Sequence, residues 1–259
     1  MSGSSPDGAG AGVGALLDDL AAEQRGLQEL LSSIDADAWL RPTPARGWDV
    51  RDTIAHLADT DEMAIATATG RPGSINERAA KAASGEDVTY EGVLHGRRRA
   101  GADVLGWWES AAAAEHEMFR ALDPAVRVPW GIGMRPPSFV TARLMETWAH
   151  GLDVLAALGI VARDTDRLAH VAWLATRALP YAYTVAGREP PAEPVRVELT
   201  LPSGAEWTMG PAGAVNRITG PAGQYCRVFV HRLKSGDAEA LHAEGPAAID
   251  ALAVARAFL

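Results

Sequence analysis

One cysteine, Cys226, is the only thiol in a chain of 259 residues. That scarcity excludes an intrachain disulfide, a thiolate metal cluster and a Cys-x-x-Cys redox motif, and it suits a reducing cytoplasm, the expected location. Long hydrophobic runs are missing as well, so no segment reads as a membrane span. Positive charge is in deficit. With 24 Lys and Arg against 33 Asp and Glu, the formal charge is −9, and such a surface offers little to nucleic-acid phosphates or an anionic membrane. The one basic run, Arg97-Arg98-Arg99, reads as a solvated helix face or an anion contact. Residues 1–12 have neither the basic start nor the apolar stretch of a signal peptide and read as a disordered lead-in.

What is present is enough to build a core, since 47% of the residues are hydrophobic, and a soluble globular protein is the expected class. Leu16, Leu17, Leu20, Leu27, Leu30 and Leu31 recur at three- and four-residue intervals, which predicts a helix from Val13 to Ile34. Asp49 is a good N-cap for a second helix ending near Thr69, before Gly70 and Pro72. The stretch from Pro72 to Val88 lacks a period and reads as irregular. Further helices are expected over Tyr90–Leu122, Ser138–Leu158 and Asp164–Thr184. After a Pro-rich linker, Val195, Val197, Leu199 and Leu201 alternate with polar residues. A turn at 202–204 and a return strand at 205–209 complete a hairpin. A strand at 214–219 and helices over 222–233 and 246–258 close the chain. The fold class is therefore α+β, a mainly helical bundle over 13–185 followed by a small α+β domain over 195–259.

The chemistry sits in Arg143-Leu-Met-Glu-Thr-Trp-Ala-His-Gly-Leu-Asp153, where Glu146 and His150 are one turn apart. With His56 on the second helix they would supply two imidazoles and a carboxylate, a set that suits zinc and leaves a position open. A bound divalent ion would keep a net charge of about +1, enough to acidify a coordinated water or thiol. Asp153 is placed to hold a ligand by hydrogen bonding. A helical wheel leaves a second reading open. Arg143, Glu146, His150 and Asp153 share one face opposite Leu144, Trp148, Leu152 and Leu155, as they would on a wet surface helix. His56, with Thr53, Thr60 and Thr67, lies opposite an apolar stripe in the same way.

Both segments resemble known motifs. Gly47-Trp-Asp-Val-Arg-Asp-Thr-Ile-Ala-His-Leu-Ala58 looks like the first-histidine motif of DinB-like bundle proteins, specifically the mycothiol-dependent maleylpyruvate isomerase family, and Arg143–Asp153 resembles that family's second motif. The run Val128–Met134 and the tail are similar to an actinobacterial subgroup known only as metal-binding. The resemblance implies a DinB-like four-helix bundle holding a divalent metal, usually Zn2+, through His56, Glu146 and His150. It also implies a small C-terminal domain of sterol-carrier-type fold. In function it implies an enzyme that activates a low-molecular-weight thiol such as mycothiol for addition to, transfer to or isomerisation of a small electrophile. Arg232 corresponds to an arginine of the small domain that serves the active site, with Arg227 as its substitute. Two alternatives stand beside this reading. One is a thiol-independent metal-assisted hydrolase or Lewis-acid cyclase, and the other is a non-catalytic metal- or ligand-binding protein.

Overall fold

The computed structural model describes residues 13–83, 85–131 and 133–258, so the expected lead-in over 1–12 lies outside the described residues. The chain divides into two compact units, the first extending to Ala162 and the second beginning at Arg163. The first is a bundle. Helices α1 (Val13–Ser32), α2 (Val50–Thr69), α5 (Gly101–Ala121) and α6 (Pro136–Leu158) form its four walls, with the short α3 (Ile75–Ala79) and α4 (Gly85–Gly96) between α2 and α5. α2 packs on α5, α6 and α4, and α1 packs on α6 and α5. Leu16, Leu17, Leu20, Leu27 and Leu31 of α1 are buried as their spacing predicts, Leu30 is partly buried, and Leu27 and Leu31 join Ile54, Leu57, Val104, Trp108 and Val154 in one core.

Local chemistry sets the helix ends. Asp49 caps α2 by accepting from the Asp52 amide at 2.8 Å, and Asp52 accepts in return from the Asp49 amide, a capping box. α6 starts at a proline pair and stops at Gly159, whose φ of 71° is the left-handed conformation of a helix C-terminus.

The helix expected over 90–122 is instead two, broken between α4 and α5. Two glycines flank the break, and both stand where a side chain would collide. A Cβ on Gly96 would lie 2.3 Å from the Ala55 Cβ, so the backbones of α4 and α2 touch there. Gly96→Ala is therefore expected to cost about 1–3 kcal/mol in chemical denaturation, the range for overpacking. An unchanged midpoint would show that α4 can move aside freely. The stretch read as irregular contains α3, a short helix capped by Ser74, and the start of α4 from Gly85.

The second unit is built on a four-stranded sheet of order β2-β1-β3-β4, from β1 (Val195–Thr200), β2 (Glu206–Met209), β3 (Asn216–Pro221) and β4 (His242–Glu244). β1 pairs antiparallel with β2 and parallel with β3. Val197, Leu199 and Ile218 are buried from the sheet. α9 (Ala222–Phe229) packs on β1 and β3, and α10 (Pro246–Ala253) on β3 and β4. The helix expected over 164–184 is α7 (Leu168–Arg177) and α8 (Leu179–Val185), with Pro180 in the first turn of α8. α7 packs against α9 and β2, so both belong with the sheet. The bundle boundary expected at 185 thus moves back to about 162. The amphipathic stripe of α7 fits a bundle helix equally well, and only the packing decides which layer receives it. β4 carries too few residues for alternation to reveal it.

Candidate metal centre

His56 sits on α2, and Glu146 and His150 sit on α6. The ring Nε2 atoms of His56 and His150 lie 3.7 and 3.5 Å from Glu146 Oε2, and one donor atom from each residue falls within 4.8 Å of the other two. Donors at about 2.0–2.1 Å around a tetrahedral zinc ion stand roughly 3.3–3.5 Å apart, so the spacing suits an ion better than direct hydrogen bonds. Two neutral imidazoles and one carboxylate are a borderline-soft donor set that zinc accepts. The trio fits a divalent metal, and among the described residues no fourth His, Cys, Asp or Glu joins it. Asp59, a conceivable fourth ligand, is held by both guanidinium nitrogens of Arg78 at 2.6 and 2.9 Å. His95 lies instead beside Trp107.

The trio's environment sets its protonation. Burial lowers the pKa of His56, which keeps the imidazole neutral near pH 7 with a lone pair to offer. For Glu146, burial alone would raise the pKa. The adjacent His150 and His56 rings, with the positive charge of Arg143, outweigh burial and hold the carboxyl well below the usual range. His150 Nδ1 lies 3.3 Å from Asp153 Oδ2, and Asp153 is only 2% exposed. The Asp153 carboxylate thus stands beside Nδ1, and Nε2 is the ring nitrogen that faces Glu146.

The polar face of α6 is therefore an interior face. Arg143, 2% exposed, donates from Nε to Glu115 Oε1 at 3.0 Å and from Nη2 to the Thr60 hydroxyl at 3.0 Å, and it pairs with Asp61 Oδ1. Trp108 Nε1 donates to the other Asp61 oxygen at 3.1 Å. Burial, then the neighbouring Asp61 charge, lifts Glu115 well above the usual carboxylate range. Sequence reasoning missed this cluster because Asp61 and Glu115 look like ordinary helix-surface acids.

It also missed Trp48 and Arg97. The Trp48 ring centroid lies 5.0 Å from that of His56 and 6.2 Å from that of His150. Arg97, with a side chain 36% exposed, is a clamp as well as part of that basic run. Its guanidinium binds both oxygens of buried Asp52 and donates to the Gly47 carbonyl at 2.8 Å. The signal available was the indole immediately before the α2 cap, in the segment that carries His56.

In the second unit, Arg232 follows α9 and donates to the Val230 carbonyl at 2.7 Å. Arg227, its substitute, makes a two-pronged pair with Asp164 at 2.6 and 2.9 Å. Cys226 is fully buried on α9, and burial pushes its thiol pKa up, which removes it as a nucleophile. No helix among the described residues is long and apolar enough to cross a membrane.

Residues 20–155 match the family model for the mycothiol maleylpyruvate isomerase N-terminal domain. Uncharacterized proteins from two strains of Mycobacterium tuberculosis are each 38% identical over 220 residues, covering 85% of this chain and 86% of theirs. Among solved structures, the crystal structure of the mycothiol-dependent maleylpyruvate isomerase and that of a histidine-to-alanine mutant superpose with a TM-score of 0.59 at 16% identity. They cover 93% of this chain and 98% of theirs, a likeness of fold.

Proposed function

The chain belongs to the mycothiol maleylpyruvate isomerase family, and on that premise we propose that it is a divalent-metal-dependent enzyme, with zinc at His56, Glu146 and His150. In this reading it uses a low-molecular-weight thiol such as mycothiol to isomerise, or add to, a small conjugated electrophile. The observation that carries the reading is the His56, Glu146 and His150 trio, with two imidazole nitrogens at 3.5–3.7 Å from one carboxylate oxygen and no fourth protein ligand among the described residues. When bound, the ion supplies Lewis acidity and the co-substrate supplies a thiol, which together permit reversible addition to a double bond and rotation about it. The chain's own thiol is walled off in the second unit, so the sulfur in this chemistry comes from outside.

The protein's residues set the terms. His56 and His150 would hold the ion through Nε2 and Glu146 through its carboxylate, Asp153 would orient His150, and Arg143 adds its positive charge to the two rings beside Glu146. Arg232 is the proposed group for a substrate carboxylate.

Purified protein is expected to hold about one divalent ion per chain and to isomerise a maleyl-type conjugated acid only when both the ion and the thiol are supplied. Removing the ion with a chelator should abolish turnover, and adding zinc should restore it. Full turnover by metal-free protein would falsify the metal reading, and undiminished turnover without thiol would leave hydrolysis or cyclisation in its place.

A further inference from the structure

Trp48 is placed too carefully to be a filler. Its turn is closed by a bridge between Pro42 and Asp49, by the Thr43 amide donating to the Trp48 carbonyl at 2.9 Å, and by the Trp48 amide donating to Ala45 at 3.0 Å. Gly47, at φ 80°, makes the tight corner that turns the chain into the indole. Arg97 clamps that corner from α4's end through the Gly47 carbonyl, and it holds Asp52 of the α2 cap with the same guanidinium. The indole is thereby fixed relative to α2, the helix that carries His56.

What it is fixed against is the trio. The Trp48 ring lies at 22° to the His150 ring and tilts at 51° to the His56 ring, so it borders both imidazoles at once. The indole is only partly buried, and the Glu146 side chain beside the histidines is 25% exposed. Glu146 is the most exposed of the three side chains, against 9% for His56 and 14% for His150, so the approach to the centre is placed on its side, which the indole borders. A rigid indole at that point offers a flat π-surface, which favours flat partners over puckered ones through stacking.

We propose that Trp48 is a specificity-determining wall of the metal centre, stacking against planar conjugated acids and discriminating against saturated acids of the same length. The proposal rests on the function read above, and its test separates the two. Zinc-loaded full-length protein is titrated calorimetrically with maleate and with succinate, and zinc content is measured in parallel. Maleate is expected to bind about fivefold more tightly than succinate, the scale of one aromatic stacking contact. In Trp48→Leu the ratio is expected to fall to about one, and in Trp48→Phe to remain largely in place, with zinc content unchanged in both. A purely structural indole would lower affinity for the two acids alike and leave the ratio where it was, which overturns the proposal. So does a wild-type protein that holds zinc yet binds the acids equally, or binds neither. A protein that takes up no zinc overturns the function reading and the wall with it.

Discussion

Arg143→Met is expected to destabilise the protein by about 3–5 kcal/mol, the cost of removing one member from a buried ion network, whereas Glu115→Gln should cost almost nothing. Asp61, Glu115 and Arg143 are 1%, 0% and 2% exposed. Ionised together they would leave a net negative charge in a dry interior, which is expensive enough that the cluster retains a proton. Burial, and then the Asp61 charge, raises Glu115 well above its ordinary value and points to that carboxyl as the holder. Its Oε2 is buried without a hydrogen-bond partner among the described residues, and the charged groups facing it are Asp61 from α2 and Arg143 from α6. Glutamine copies the protonated carboxyl.

The pH dependence follows in sign. Glu115's pKa is raised on folding from an ordinary value of 4.5, so the folded state binds the extra proton. Its contribution is complete below about pH 4.5 and is lost as pH rises from there toward the folded value. Melting temperatures of wild type and Glu115→Gln measured from pH 5 to pH 8 should therefore diverge, with the glutamine variant gaining on wild type as pH rises. Parallel curves would mean that Glu115 is ionised in the fold.

The second large effect concerns metal affinity, graded by position. Structural zinc sites bind with about 10–16 kcal/mol over four ligands, or roughly 3–4 kcal/mol for each. His56→Ala or His150→Ala should then weaken zinc binding by on the order of a hundred- to a thousandfold. Asp153→Asn should lose about 10–100-fold, as removal of a ligand's hydrogen-bond partner usually does. Competition titration against a chromophoric chelator reads both. An alanine variant of either histidine that binds zinc like wild type would exclude that histidine as a ligand.

The helices were legible where burial is one-sided. The leucines of α1 recur at helical intervals because a single stripe meets the core, and Asp49 announced the start of α2 through its capping chemistry. The wheel of α6 misled for a physical reason. It orders side chains around an axis but carries no information on what packs against each side. α6 packs against both α1 and α2, with Glu115 of α5 reaching Arg143 and His56 of α2 meeting Glu146. α2, enclosed by α4, α5 and α6, buries Thr53, His56 and Thr60 for the same reason. Only the motif around His56 and Glu146 distinguished a wet face from an inward one. The cluster of Asp61, Glu115 and Arg143 joins three helices across 28 to 82 positions, and no local pattern encodes a partnership at that separation.

The burial of Cys226 bears on how such a protein would survive its own chemistry. A protein that works with a soluble thiol also meets the oxidised form of that thiol, and an accessible low-pKa cysteine would be captured as a mixed disulfide. Here the only sulfhydryl has 0% exposure, and its neutral form is favoured by burial. On the proposed thiol-dependent reading, the chain would pass through shifts in cellular redox balance without becoming covalently tied to that thiol.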